Sequence, residues 1–319
     1  MAVRDRAQVA DYAVRIRGEV GDLGPVVPRG FLSVLSTEHT PKIPAGHSGR
    51  RELAEWIASP HNALTARVLV NRLWQHLFGK GIVASTDNFG LMGEQPSHPE
   101  LLDYLAIRFM DEGWSIKRAL RNMLLSRTYQ LSGQRVEPAY TADPGNKLLW
   151  RFGRRRLEAE AIRDAMLAVG GQLDVRRPVG SATLKLNNLE LGSSARTLAA
   201  DESLRCRGVY LPMLRGNVPE MLSLFDMADP SLTITQREVT TVATQALYLM
   251  NSKFVMDRSR EFAERLLEQD ALDDAGRIDL AYRLALARAP SEIERRQVLD
   301  FIQETPVGVA DTAQAEVDA

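Results

Sequence analysis

The chain has 319 residues, enough for one large or two ordinary domains, and a hydrophobic content of 45% supplies a core. Forty basic residues against 41 acidic leave a formal net charge of -1, which excludes the long-range positive field that draws nucleic acid or an anionic bilayer. The single cysteine, Cys206, excludes an internal disulfide, a cysteine-rich zinc site and a Cys-x-x-Cys-His haem attachment, and leaves the redox compartment open.

The first residues, MAVRDRAQVADY, are charged where a signal peptide needs an apolar stretch, and no later run approaches the roughly 18 apolar residues of a membrane span. Tyr12, Val14 and Ile16 alternate with Arg15 and Arg17, the period of a half-buried strand with no obvious partner. Gly21, Gly24, Pro25, Pro28, Gly30, Pro41, Pro44 and Gly46 then predict an extended connector to residue 49.

A helical domain is expected over residues 50–304. Its first helix places Leu53, Trp56 and Ile57 on one face and stops before Pro60. Asn62 can cap a second helix over 63–78 that is apolar nearly all round and ends at Gly79. Ser97 and Glu100 have capping-box spacing for a helix ending at Gly113, and Ser115 starts another with Ile116, Leu120, Met123 and Leu124 inward. Residues 147–169 read as one helix closed by Gly170 and Gly171. An irregular insert follows at about 172–235, with SATLKLNNLEL and RGVYLPML as short strand candidates. Helical pattern resumes over 242–250, 253–268, 275–287 and, after a Ser291-x-x-Glu294 box, 292–304; the tail at 305–319 has no apolar stripe. The fold expected is mainly α, an irregular multi-helix bundle with a few short strands near the N-terminus and around 180–215.

Four places could carry chemistry. In NRLWQHLFGKGIV, Arg72 and His76 are one helical turn apart, as are Asn71 and Gln75. They form either an anion-binding wall or a polar seam in which Arg72 pairs with Glu100 or Asp103. In RRRLEAEAIRDAM, Arg156 with Glu160 and Glu160 with Arg163 have the spacing of helical ion pairs, while Glu158 falls on the apolar side and needs a partner. Glu158 and Glu160 point about 200° apart on a helix, so acid–base hydrolysis would have to join one of them to Asp226 or Asp229. In REVTTVATQALYLMNS, Arg237, Gln245 and Asn251 surround a helix start where Thr240 or Thr241 is a natural N-cap, and where free amides could also hold an anion. The loop FGLMGEQPSHPE, with Asp87, Asn88 and His98 in or beside it, connects two patterned helices and is the best candidate surface.

The five histidines show no His-x-x-x-His or Glu-x-x-His spacing, so no metal site is expected; His76 with His98 and a carboxylate is the one set conceivable. Nucleophile-elbow, phosphate-loop and dinucleotide fingerprints are all missing from the sequence.

Four motifs in order carry a resemblance: LTARVLVNRLWQHLFGKGIVASTDNFGLMGEQPSHPELLDYLA, LLWRFGRRRLEAEAIRDAML, RGVYLPMLRGNVPEMLSLFDMADPSL and REVTTVATQALYLMNSKFV. Over roughly residues 12–303 the chain resembles the planctomycete domain-of-unknown-function 1553 family, found at the C-terminal end of large proteins that often carry a cytochrome c-like module upstream. In that family more chain precedes the first segment and a further aromatic-rich helix follows the last, so the resemblance implies a fragment lacking both ends. It further implies a cell-envelope or periplasmic setting, other domains of the same protein as partners, and a link to electron transfer or polysaccharide. Any haem would sit in an upstream module, with no cofactor in this chain. The leading expectation is a non-catalytic helical module. Its rivals are an enzyme domain for glycans or sulfated sugars, using carboxylates of RRRLEAEAIRD and LFDMADP, and a redox partner surface.

Overall fold

A computed structural model describes residues 5, 8–180, 204–213 and 218–304. The chain divides into two compact units, Met1–Arg155 and Arg156–Ala319, a boundary that falls inside the helical domain expected over 50–304. The described residues are mainly helical, with eleven α-helices and one two-stranded antiparallel sheet.

In the first unit β1 (Tyr12–Arg15) pairs with β2 (Leu23–Val27), Tyr12 opposite Val27 and Ala13 opposite Val26, with an irregularity between Ala13 and Arg15. The sequence period predicts β1 but not its partner, because Gly24 and Pro25 argue for connector. In a ribbon of two strands both are edges, the one place where a sheet tolerates proline.

Helix α1 (Arg50–Ile57) buries Glu52 and Trp56, whereas Leu53 and Ile57, predicted inward, are exposed. The connector decides which face is covered: the Phe31 ring lies 5.3 Å from that of Trp56, and His47 Nδ1 is 3.1 Å from Glu52 Oε1. Helix α2 (Thr65–Phe78) is introduced by Asn62, whose Oδ1 accepts the amides of Leu64 and Thr65, and is closed by Gly79 at φ 86°. Only glycine takes that left-handed conformation without steric cost.

Helices α3 (Pro99–Asp111) and α4 (Ile116–Leu124) pack on α2 around Val70, Trp74, Ile82, Val83, Leu102, Ala106, Phe109 and Met123, and α5 (Glu137–Ala142) follows. The Ser97 capping box does not form. Its hydroxyl donates to the Ile82 carbonyl at 3.2 Å, and His98 takes the cap position. Ser115 does cap α4, accepting the Arg118 amide, but the buried line is Ala119 and Met123, and Ile116 and Leu124 are exposed.

The second unit is built on α6 (Ala159–Val169), which packs against α7 (Glu220–Leu224), α9 (Lys253–Leu267) and α10 (Asp274–Leu286); α8 (Ala243–Asn251) and α11 (Glu292–Glu304) complete it. Its core holds Ala159, Leu167, Met221, Leu222, Phe225 and Phe254. The helix expected from residue 147 starts only at Ala159. Before it, the Asp143 carboxylate accepts the amides of Lys147 and Leu148, its carbonyl accepts the Trp150 indole N–H, and Asn146 and Leu149 adopt positive φ. Side-chain bonds of this kind compete with helical ones and win here. RGVYLPML forms a short 3-10 turn at Gly208–Tyr210 where a strand was expected, beside an isolated bridge between Asp174 and Cys206. SATLKLNNLEL and the tail at 305–319 lie outside the described residues. The Ser291–Glu294 box forms reciprocally: Ser291 N–H donates to Glu294 Oε2 at 2.8 Å, and the Glu294 amide to Ser291 Oγ at 3.3 Å.

Candidate functional site

On α2 the polar seam exists, but on the neighbouring face from the one expected. Asn71, with no exposed surface, donates to the Val83 carbonyl and accepts the Val83 amide, both at 2.9 Å, and Gln75 is also buried. Gly81 lets the chain come this close, since a Cβ there would lie 2.4 Å from the Val83 carbonyl oxygen and 2.8 Å from Asn71 Nδ2. Arg72 and His76 are exposed, and neither pairs with a described residue. The acid proposed for Arg72 is taken: Asp103 binds Arg67 at 2.6 Å, while Glu100 is exposed. Arg67 lies one turn before Asn71, on the side of α2 that faces α3, and so reaches Asp103 first.

The loop before α3 folds on itself. Asn88 Oδ1 accepts the Gly90 amide, Ser85 Oγ donates to the Asn88 carbonyl, and His98 Nδ1 lies 3.0 Å from Ser97 Oγ. Asp87 is exposed beside it. No group of three His, Cys, Asp or Glu side chains converges among the described residues, so His76 and His98 do not assemble a metal set there.

The densest charged constellation surrounds α6. Because the chain is extended before Ala159, Arg156 cannot make the helical pair with Glu160 that the spacing suggests. It reaches the segment after α7, where Nη2 meets Asp226 Oδ2 at 2.5 Å and the Phe225 carbonyl at 3.1 Å, and Nη1 donates to the Thr240 carbonyl. Asp226 also accepts the Thr240 amide at 2.7 Å and its hydroxyl at 2.9 Å. Thr240 is therefore no N-cap. Val242 takes that position, and the Gln245 side chain accepts its amide while donating to the Leu224 carbonyl. Asn251 donates to the Leu247 carbonyl one turn back.

Glu160 instead binds Arg237 through two bonds of 2.6 and 2.9 Å. Burial pushes its carboxyl up, but the Arg237 guanidinium and a backbone amide outweigh this and hold it below the ordinary glutamate value. Asp226 is balanced the same way: burial raises it, and the bonds from Thr240 and Arg156 bring it below the ordinary value. Glu158, expected on the apolar side, is 54% exposed at the cap of α6, 3.5 Å from Arg237. Arg163, expected to pair with Glu160, is buried, and its guanidinium donates to the carbonyls of Leu204 and Cys206, with Asp164 at 3.5 Å.

Of these groups, Glu158, Glu160, Asp164 and Arg237 line a cavity of about 650 Å³ together with Arg207 and the apolar residues Ala161, Ala165, Ala168, Leu173 and Val209. The sequence reading missed Asp164 and Arg207. Asp164 accepts the Gly208 amide at 2.7 Å, and Gly208 can lie there only without a side chain, since a Cβ would come within 2.9 Å of Glu160 Cβ. The Gly208 that follows Arg207 is the one local signal that could have marked this approach. Asp229, the other acid considered for hydrolysis, is exposed and accepts the Ser231 amide.

Residues 49–302 match the family model described as PSD1, protein of unknown function (DUF1553). No curated protein and no solved structure matches the chain.

Proposed function

Taking as premise that the chain belongs to the DUF1553 family of proteins of unknown function, we propose that it is a non-catalytic helical module that packs against, or docks, other domains of a larger protein. The observation that carries this reading is the state of Glu160 and Asp226. Each is held by an arginine and kept ionised below its ordinary value. A hydrolase working through two carboxylates needs one of them protonated near neutral pH, which requires a raised value. Carboxylates neutralised in this way join α6 and the extended segment entering it to the segments around residues 226 and 237, the task of a scaffold.

The resemblance adds a planctomycete source, a cell-envelope or periplasmic setting, and an upstream cytochrome c-like module carrying any haem, with polysaccharide as a further ligand class. No described helix is long and apolar enough to cross a membrane.

The test is a turnover screen of the purified chain on neutral and sulfated glycans, run beside Asp226→Asn and Glu160→Gln. No turnover, together with co-purification of separately expressed neighbouring domains, is expected. Turnover by the native chain that Asp226→Asn abolishes without altering the circular dichroism spectrum would overturn the reading.

A further inference from the structure

The near-zero net charge of the chain conceals two halves of opposite sign. The first unit holds 21 lysines and arginines against 15 acids, the second 19 against 26. Within the first, residues 114–155 carry nine cations and two acids, of which Glu137 pairs with Arg135 at 2.7 Å and Asp143 turns to the amides of Lys147 and Leu148. At physiological salt the Debye length is about 8 Å, so the potential over a patch follows its local charge and not the total.

Packing gathers part of this excess. The ring centres of Phe78, Tyr129 and Phe152 lie 5.0 to 6.4 Å apart and bring three distant segments together. Within three positions of those residues the chain holds Lys80, Arg127, Arg151, Arg154 and Arg155 and no acid. Three residues span at most about 11 Å, so the five cations are confined to one region. The Arg155 stem lies 3.8 Å from where a Cβ on Gly79 would stand, beside Lys80. All but Arg151 are exposed, and none belongs to an ion pair described in this unit. Leu125 and Leu148, 61% and 70% exposed, stand four positions from Tyr129 and Phe152. On α4 and its cap, Lys117, Arg121 and Leu125 follow one another at one-turn spacing as an exposed stripe.

We propose that this surface binds an anionic lipid bilayer peripherally, with Arg127, Arg154 and Arg155 on headgroup phosphates and Leu125 and Leu148 entering the acyl boundary. Guanidinium groups bind phosphate oxygens bidentately, and exposed aliphatic side chains beside cations gain from hydrocarbon what no soluble polyanion offers. A single-stranded nucleic acid would use free aromatic faces, whereas Phe78, Tyr129 and Phe152 are half-buried against one another. The contact is at the surface, since no described helix is long and apolar enough to cross a membrane. The inference goes beyond the docking reading and does not rest on it.

The test is flotation of the whole chain with vesicles of phosphatidylcholine alone or with about one third phosphatidylglycerol, at low and high salt. Binding to the anionic vesicles only, weakened by salt, is expected. Arg127→Gln, Arg154→Gln and Arg155→Gln together should weaken it about a hundredfold, at about fivefold for each cation near the surface. The same change at Arg260, Arg283 and Arg296, exposed cations of the second unit, alters the net charge equally and should leave binding intact. Leu125→Ser with Leu148→Ser should weaken it at unchanged charge. Circular dichroism checks each fold, and if the triple variant unfolds, Arg154→Gln alone should still show its about fivefold loss. No binding to the anionic vesicles at low salt would overturn the proposal, as would native-like binding by the triple variant. Tighter binding of duplex DNA or heparin, indifferent to the leucine changes, would assign the patch to a soluble polyanion and overturn it too.

Discussion

Arg156 and Asp226, 70 positions apart, meet at 2.5 Å and tie the extended segment entering α6 to the turn after α7. The same guanidinium serves two backbone carbonyls, Phe225 and Thr240, and so closes three chain segments with one side chain. Arg156→Ala should lower the unfolding free energy by about 2–4 kcal/mol, somewhat under the value for a fully buried pair because 23% of the arginine side chain stays exposed. Arg156→Lys should recover only part of this, since an ammonium cannot reproduce the planar fork. Urea denaturation of both variants checks it; equal midpoints for Arg156→Ala and the native chain would refute it.

Acid should loosen the second unit through the same contacts. Asp226 and Glu160 have folded values below their ordinary 3.8 and 4.5. The stability they contribute is therefore complete above the ordinary values and is lost as pH falls through the depressed folded ones. The unfolding midpoint in urea, followed from pH 7 to pH 2, should stay level to about pH 5 and then decline. Asp226→Asn combined with Glu160→Gln should start lower and decline less steeply; an unchanged slope would remove these two groups as the cause.

Asn71 and Arg72 are adjacent in sequence and opposite in consequence. Asn71→Leu strands the Val83 amide and carbonyl without partners, at a cost of about 2–5 kcal/mol. Arg72→Ala removes an exposed side chain that pairs with no described residue and should change stability by less than about 0.5 kcal/mol. Thermal unfolding of the two variants side by side settles the contrast.

Glu294 offers a spectroscopic check. The Arg288 guanidinium, followed by the Ser291 amide and hydroxyl, brings its carboxyl down to about 2 from 4.5. A carbon-detected NMR titration should show that low midpoint, and Arg288→Gln should return it most of the way toward 4.5. A midpoint near 4.5 in the native chain would mean that the box and the ion pair do not persist in solution.

Asn62 before α2, Gly79 after it, Ser115 before α4 and the Ser291–Glu294 box were all legible in the sequence, and so was helical character through most of the chain. Each depends on residues no more than four positions apart, where backbone geometry alone determines who can meet whom. Where a residue within that range had a better offer, the local rule failed. Ser97 found the Ile82 carbonyl, Thr240 found Asp226, and the Asp143 carboxylate unwound the start of the helix predicted from residue 147.

The charges on α6 illustrate the division most fully. Composition and period determined that arginines and glutamates would share a helix near the middle of the chain and would have to neutralise one another. Tertiary structure alone decided the partners: Glu160 went to Arg237 and Arg156 to Asp226, neither within its own helix. A guanidinium binds any carboxylate that comes within reach, and helical spacing selects a partner only where both residues are helical, so the pairing belongs to whichever long-range contacts the packed core brings closest.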